Sequence, residues 1–465
     1  MTAAEAYYLP PELEPLMPGG EELVVRGERC RFPRLGPADL ARVTASLVEH
    51  GARAQPGLTT ARLVDTLGEL AETWLDQGDP YRQAAEHLLP ALTGYAPAMV
   101  AEALDRLFES LLTGGLDDLL KAEVGYLHSR PPHLLFIIPA GTVFPPAIVG
   151  ATCALLLRSP VLIKPASGEP ILAALWARSL AARDPELARL VAVLPWPRSR
   201  PELTAAALAA ADTALVHGGD ETVAAIEAAA PPTTRLIAHG HKVSAAILGA
   251  RALAADAEGL ARSLAADVAL YDQQGCLSPH TVFVEESKAL PAQRFAELLG
   301  AELEALERRW PRAPLDRATA SSLRQFLAAR ELRSAAARAR GTVLGGFEAG
   351  WAVVVEPEPG FEFSPLARTV IVKPVEKLAS AVDAFGPVRG RVQAVGLAVS
   401  HADRLALARQ LGLYEDVESN LDWAPRVRLC PIGTMQSPPL TWAADGHRPL
   451  ASLCPRLPGA GAAED

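Results

Sequence analysis

The period of the apolar positions changes near residue 133, and that change divides the chain. Before it, residues 40–48, 61–75 and 99–112 carry apolar side chains three and four apart, the spacing of one buried helix face. After it, short continuous apolar runs alternate with longer helical stretches. Residues 134–138 read as a buried strand, 145–158 as a helix of small and apolar residues, 161–163 as a second strand and 169–183 as a second helix. Residues 190–194, 213–216 and 235–238 supply three further strands, with helices near 202–211 and 220–229 between them. A second series begins near Ser244, with strands at 245–248, 281–285, 352–356, 369–372 and 393–399 and helices near 253–268, 289–309, 320–340 and 401–411. Alternation at this pitch predicts an α/β protein whose parallel sheets carry helices on both faces and bind ligands at the carboxyl ends of their strands. The expected division is a mostly helical part over 1–130, one α/β unit over 131–243, a second over 244–427, and a segment over 428–465 that returns to the core and ends in a loose tail.

At 465 residues the chain is too long for a single core. The formal charge of −10, with no dense Lys/Arg run, argues against a nucleic-acid partner. The longest apolar stretch, 134–163, is broken by Pro139, Pro145, Pro146, Arg158 and Pro160, so no membrane span is expected. The N-terminus lacks a basic region followed by an apolar one, which predicts a cytoplasmic protein. Five cysteines, an odd number with no CxxC pair, predict free thiols and no metal site.

Candidate chemistry concentrates in four places. The polar, glycine-containing segment 271–280 joins a helix to a strand and carries Cys276. Backbone N–H groups in such a loop can stabilise a thiolate and an oxyanion, although a half-buried structural cysteine is an equal alternative at this point. Lys164 follows a buried strand and precedes Pro165, where a cation can meet ribose hydroxyls or a phosphate; the same dipeptide recurs at Lys373-Pro374. Gly218-Gly219 joins a strand to a helix and can present N–H groups to a pyrophosphate, or be an ordinary turn capped by Asp220. Residues 138–143, which include Pro139 and Thr142, end the first strand. Walker A, HExxH and GxSxG motifs are absent.

In their order and spacing these pieces resemble the aldehyde dehydrogenase superfamily, and within it the LuxC-like fatty acyl-CoA reductases, over about 134–449. Gln274-Gly275-Cys276 is similar to the superfamily's Gln-x-Cys loop, Ile163-Lys164-Pro165-Ala166-Ser167 to its cofactor strand, and residues 217–223 to its glycine turn. Phe363-Ser364-Pro365-Leu366 resembles its Phe-Gly-Pro-Val block. Residues 430–436, Pro438-Pro439, Trp442 and Asp445-Gly446 resemble the LuxC-like ending.

The resemblance implies an aldehyde dehydrogenase-like fold of two Rossmann-like doubly wound domains, cofactor-binding over 131–243 and catalytic over 244–427, in a homo-oligomer. It implies NADPH, with NADH as the alternative, held by Pro139, Lys164, Ser167, Gly218, Gly219 and Thr222. Ser167 stands where NAD-preferring relatives carry an acid, which favours NADPH, and the nearby Glu169 works against this. Cys276 takes the nucleophile's place, with Gln274 beside it, and Thr142 falls near the oxyanion-hole Asn. Two departures matter. Ala238 occupies the general-base Glu position within Ala238-His239-Gly240-His241-Lys242, leaving His239 or His241 as alternative bases or as a polar loop. Phe361 occupies the position of the ribose-binding Glu, with Glu362 one residue away. Without the base, water should cleave an acyl-Cys slowly, whereas a thiol needs less help. The expected reaction is therefore NADPH-dependent reduction of an acyl-CoA or acyl-carrier thioester to an aldehyde through acyl-Cys276. A hydrolytic aldehyde dehydrogenase and a non-redox Cys acyltransferase or acyl-binding protein are the alternatives.

Overall fold

The computed structural model describes residues 3–14, 20–127, 130–141, 143–336, 341–412 and 427–454. Thr142 and the tail beyond Cys454 lie outside the described residues.

A small sheet, β1 (Ala4–Glu5), β2 (Glu21–Val25) and β3 (Glu28–Phe32), opens the chain in the order β1-β3-β2. Its strands are rich in charge, and periodicity alone does not show them. Five helices follow: Pro37–Ala54, Thr60–Leu75, Pro80–Thr93, Pro97–Ser110 and Thr113–Glu123. Local chemistry sets their ends. The Thr59 side chain accepts the Arg62 N–H, and Asp79 accepts those of Tyr81 and Arg82. Gly94, at φ 83°, ends the third helix in the left-handed conformation. That third helix is missed by the hydrophobic pattern because Arg82 is one of its buried residues. Arg82 is fully buried, with Glu86 and Asp105 each 2.7 Å from its guanidinium.

The first large sheet comprises β4 (Leu135–Ile138), β5 (Val161–Ile163), β6 (Val191–Val193), β7 (Thr213–His217) and β8 (Arg235–His239). All pairs are parallel, in the order β6-β5-β4-β7-β8. Strand direction of travel reverses between β4 and β7, which opens a crevice at their carboxyl ends. Leu135 and Ile137 pack toward the helix Pro145–Leu156, while Leu134, Phe136 and Ile138 pack toward Pro37–Ala54 and Pro201–Ala210. Burial on both faces explains the unbroken apolar runs.

The second large sheet contains β9 (Val243–Leu248), β10 (Pro279–Glu285), β11 (Thr342–Gly346), β12 (Trp351–Val355), β13 (Thr369–Val375), β14 (Val392–Ala398) and β15 (Arg428–Pro431). Its order is β11-β12-β13-β10-β9-β14-β15, and only the edge strand β11 is antiparallel. The edge strands β11 and β15 are the two that the sequence pattern does not reveal. Each is short and mostly half-buried.

From β15 the chain crosses back to the first sheet. Asp267 accepts the Gly433 and Met435 N–H groups at 2.6 and 3.1 Å, and Glu123 accepts those of Leu450 and Ala451 at 3.0 and 2.8 Å. The Thr213 hydroxyl donates to the Leu453 carbonyl at 2.9 Å. This return carries Asp445 and His447 to the ends of β7 and β8. No described helix is long and apolar enough to cross a membrane.

Candidate active site

A cavity of about 1060 Å³ opens at the carboxyl ends of β4, β5, β7 and β8. The Cys276 loop, the cofactor-side loops and the returning segment all line it.

The Cys276 loop is held by an uncommon clasp. Tyr271, Asp272 and Gln273 have φ of 55, 51 and 65°, and Leu366, Ala367 and Arg368 have φ of 65, 54 and 61°. Non-glycine residues in this region cost of order 1–3 kcal/mol each, so the surroundings must hold them. They hold each other. The Arg368 guanidinium lies 2.7–2.8 Å from Asp272 and 2.7 Å from Glu307. The Gln273 amide donates to the carbonyls of Pro279 and Thr369 at 2.9 and 2.8 Å and accepts the Thr369 N–H at 2.8 Å. Gln273 is therefore a fixed strut, and its neighbour Gln274 is exposed on the cavity. The Ser244 hydroxyl on β9 donates to the Cys276 carbonyl at 2.7 Å.

Cys276 is exposed to the cavity, whereas the other four cysteines are buried in packing. Accessible to a small molecule inside the cavity, its sulfur is nonetheless shielded from bulk water. Burial, then the nearby Asp445 carboxylate, push its pKa up to about 12. Its own N–H and Lys242 pull the other way.

At the first sheet's end of the cavity, Lys164 follows β5 and Arg198 follows β6. Among the described residues neither makes an ion pair. The Lys164 ammonium sits 5.7 Å from the Trp196 ring centre, and Arg198 donates to the Thr222 hydroxyl at 3.1 Å. Burial, then Arg198, lower the Lys164 pKa. Ser167 and Gly168 are exposed between them. Glu169 is not part of this group, because its Oε1 accepts the N–H groups of Ile171 and Leu172 at 2.8 Å each. Gly219 is the N-cap of the helix Asp220–Ala229, and nothing stands where its Cβ would be, so that helix end is open. Asp220 is the first helical residue and not the cap; its carboxylate accepts the His241 N–H at 2.9 Å.

Next to this groove lies a cluster of imidazoles. His217 and His239 are register partners on β7 and β8, and their rings stack at 4.6 Å. His239 Nδ1 donates to the Asp445 carboxylate at 2.7 Å, which Lys242 approaches to 3.3 Å. Burial acts to raise the Asp445 pKa, but the bonds and charges of His239 and Lys242 outweigh it and hold the group below its ordinary value. Burial, then His239, lower the His217 pKa to about 3. A further arm of the cavity is apolar, lined by Ala103, Leu107, Val143, Val149, Tyr271 and Leu440.

The sequence model of the Acyl-CoA reductase (LuxC) family matches residues 57–456. The chain belongs to that family. It is similar to the long-chain acyl-protein thioester reductase of Aliivibrio fischeri, at 25% identity over 320 residues, 66% of this chain and 62% of that protein. The match thus spans less than two thirds of that relative. The protein of the same name from Vibrio harveyi is 24% identical over 351 residues, 70% of this chain and 69% of that one. Among solved structures, the NADP-dependent glyceraldehyde-3-phosphate dehydrogenase of Bacillus halodurans, complexed with NADP, shares the fold. Its TM-score is 0.61 at 15% identity, over 89% of this chain and 88% of that chain.

In this LuxC-family chain the structure gathers Pro139, Lys164, Ser167, Gly218, Gly219, Thr222, Gln274 and Cys276 around one cavity. Thr142 lies outside the described residues. Glu362, one residue from the superfamily's ribose-binding position, does not line the cavity. It pairs with Arg330 and lies 3.3 Å from Lys373. Sequence matching misses Arg198, which lies outside the matched motifs, and the pairing of Asp445 with His239, more than two hundred positions away. It also puts the base position at Ala238, whereas strand alternation turns Ile237 and His239 to the cavity instead.

Proposed function

We propose that this LuxC-family protein reduces an acyl thioester, carried by CoA or by a carrier protein, to an aldehyde, with Cys276 holding the acyl group and NADPH as reductant. The observation that supports it is the place of Cys276, an exposed thiol where an apolar arm meets a cationic groove. The groove residues fit a 2′-phosphorylated dinucleotide. Lys164 and Arg198 are two cations with no carboxylate partner among the described residues, Ser167 leaves room, and the Gly219 helix end offers N–H groups to a pyrophosphate. When bound, the reduced nicotinamide supplies the hydride.

The chain's own residues do the rest. Cys276 attacks the thioester carbonyl, and the carrier leaves as a thiol. The Cys276 N–H, the Gln274 amide and the Thr142 hydroxyl are the proposed donors to the oxyanion. The apolar arm takes the acyl chain and excludes water. No carboxylate stands at position 238 to activate a water molecule, so the acyl-enzyme persists until it is reduced. On this reading residues 131–243 bind the nucleotide, 244–427 carry the nucleophile and 428–454 serve both.

The test is oxidation of NADPH with a panel of acyl-CoAs, on wild type and Cys276→Ala. The expected result is aldehyde formation that the variant loses by at least about a thousandfold. Free acid as the product of aldehyde oxidation without CoA would favour a hydrolytic dehydrogenase instead.

A further inference from the structure

Transfer of an acyl group from a carrier thioester to the Cys276 thiol requires somewhere for its proton to go. The charges of Lys242 and Asp445 both act on Cys276, and the Asp445 carboxylate is itself engaged by His239 at 2.7 Å and Lys242 at 3.3 Å. The group joined to them that can take a proton is His239. Its Nδ1 is committed to Asp445, which fixes the tautomer with the lone pair on Nε2. That Nε2 makes no hydrogen bond among the described residues, and His239 lines the same cavity as Cys276.

Three features hold the imidazole in this pose. The His217 ring stacks on it from β7, and the His447 ring meets it edge-on at 5.7 Å. Asp445 is presented by a left-handed turn, with φ of 56° at Asp445 and 84° at Gly446. Asp-Gly is a favoured pair for such a turn, and the turn sets the Asp445 carboxylate against His239. The ionisable groups facing His239 are therefore His217 from β7, Lys242 from its own loop, Asp445 and His447 from the returning segment, and Cys276 across the cavity.

We propose that His239, oriented by Asp445, is the proton carrier of the acylation step, taking the Cys276 proton and delivering it to the departing carrier thiol. This rests on the acyl-Cys276 reading above. As the S–C bond to Cys276 forms, the Cys276 proton moves to His239 Nε2. As the bond from the acyl carbon to the carrier sulfur breaks, that sulfur leaves with the proton from Nε2. One thioester and one thiol become another thioester and another thiol, with no change of oxidation state. The arrangement supplies from an imidazole what the absent carboxylate at Ala238 does not. Its geometry serves a thiol, since the same proton is taken up and returned within one step.

The experiment measures the stoichiometric release of CoA thiol from a long-chain acyl-CoA, without nucleotide, between pH 6 and 10. It compares wild type, His239→Gln, His239→Ala, Asp445→Asn and Cys276→Ala, with melting curves to confirm folding. Wild type should release one equivalent, at a rate that rises with pH and then levels off. His239→Gln should be slower by about 100- to 10,000-fold, its rate should climb with pH without a plateau, and added imidazole should partly rescue His239→Ala. Asp445→Asn should fall between, through loss of the tautomer. A His239→Gln variant within threefold of wild type, with an unchanged pH profile, overturns the proposal while leaving the acyl-enzyme intact. Release that is equally fast in Cys276→Ala overturns both readings.

Discussion

The chain contains the dipeptide Lys-Pro twice, once just after a buried parallel strand and once near the end of another, and the two lysines have opposite surroundings. Lys373, near the end of β13, donates to the Glu358 carbonyl at 2.8 Å and lies 3.3 Å from Glu362, which also pairs with Arg330. Lys164, after β5, has an aromatic ring beside it and a second cation nearby, and makes no ion pair among the described residues. Burial lowers the pKa of both. The same contrast extends to the two halves of the molecule. The second sheet closes its charges on one another, as in Asp272–Arg368–Glu307 and Arg330–Glu356–Glu362–Lys373. The first sheet leaves Lys164 and Arg198 facing a cavity. A dipeptide thus carries no function by itself; a half-buried cation with no acid beside it among the described residues is suited to receive an anion.

The largest expected effect lies in the closed half. Arg368→Met strips the buried Asp272 and the adjoining Glu307 of their shared cation and should cost about 3–5 kcal/mol in urea unfolding, because a broken buried pair leaves an uncompensated charge. An unchanged unfolding midpoint would show that the clasp does not hold the Cys276 loop.

The lysines test the contrast directly. Lys164→Met and Arg198→Met should each raise KM for NADPH by about 10- to 100-fold, the usual worth of a hydrogen bond to a charged group, with little loss of stability. Lys373→Met should reduce stability by about 1–2 kcal/mol and leave KM for NADPH where it was. If the two lysine variants behave alike, the distinction between open and closed charges fails.

The smallest effect concerns a closed-half acid without an ion pair among the described residues. Asp267 holds the returning segment through backbone N–H groups, and burial, the strongest influence, pushes its pKa up to about 7. The folded state therefore keeps a proton that the unfolded state, with its carboxyl near 4, has released. The contribution of this group to stability is fully present below about pH 4 and is lost as pH rises through about 7. Asp267→Asn should flatten that part of a melting-temperature profile between pH 4 and 8.

Much of the fold could be read in the sequence because its central strands are buried on both faces. Residues 161–163 and the helix at 220–229 are found where the pattern puts them, and the other central strands differ by a few residues at most. The elements that escape are those whose stability comes from elsewhere. The edge strands β11 and β15 have half-buried patterns, and the helix Pro80–Thr93 buries an arginine paired with acids on its own and a neighbouring helix. The site divides in the same way. Cys276, Lys164 and the glycine turn sit at strand ends, where local pattern shows them. Arg198 and the Asp445–His239 pair depend on where distant loops meet, and no local spacing encodes that.

The central claim is that Cys276 carries the acyl group. Wild-type protein incubated with a long-chain acyl-CoA in the absence of nucleotide, digested and analysed by mass spectrometry, tests it most directly. One acyl adduct on the peptide containing Cys276, discharged to aldehyde when NADPH is added, is the predicted result. Turnover without any adduct at Cys276, or an adduct that yields only free acid, would contradict the account.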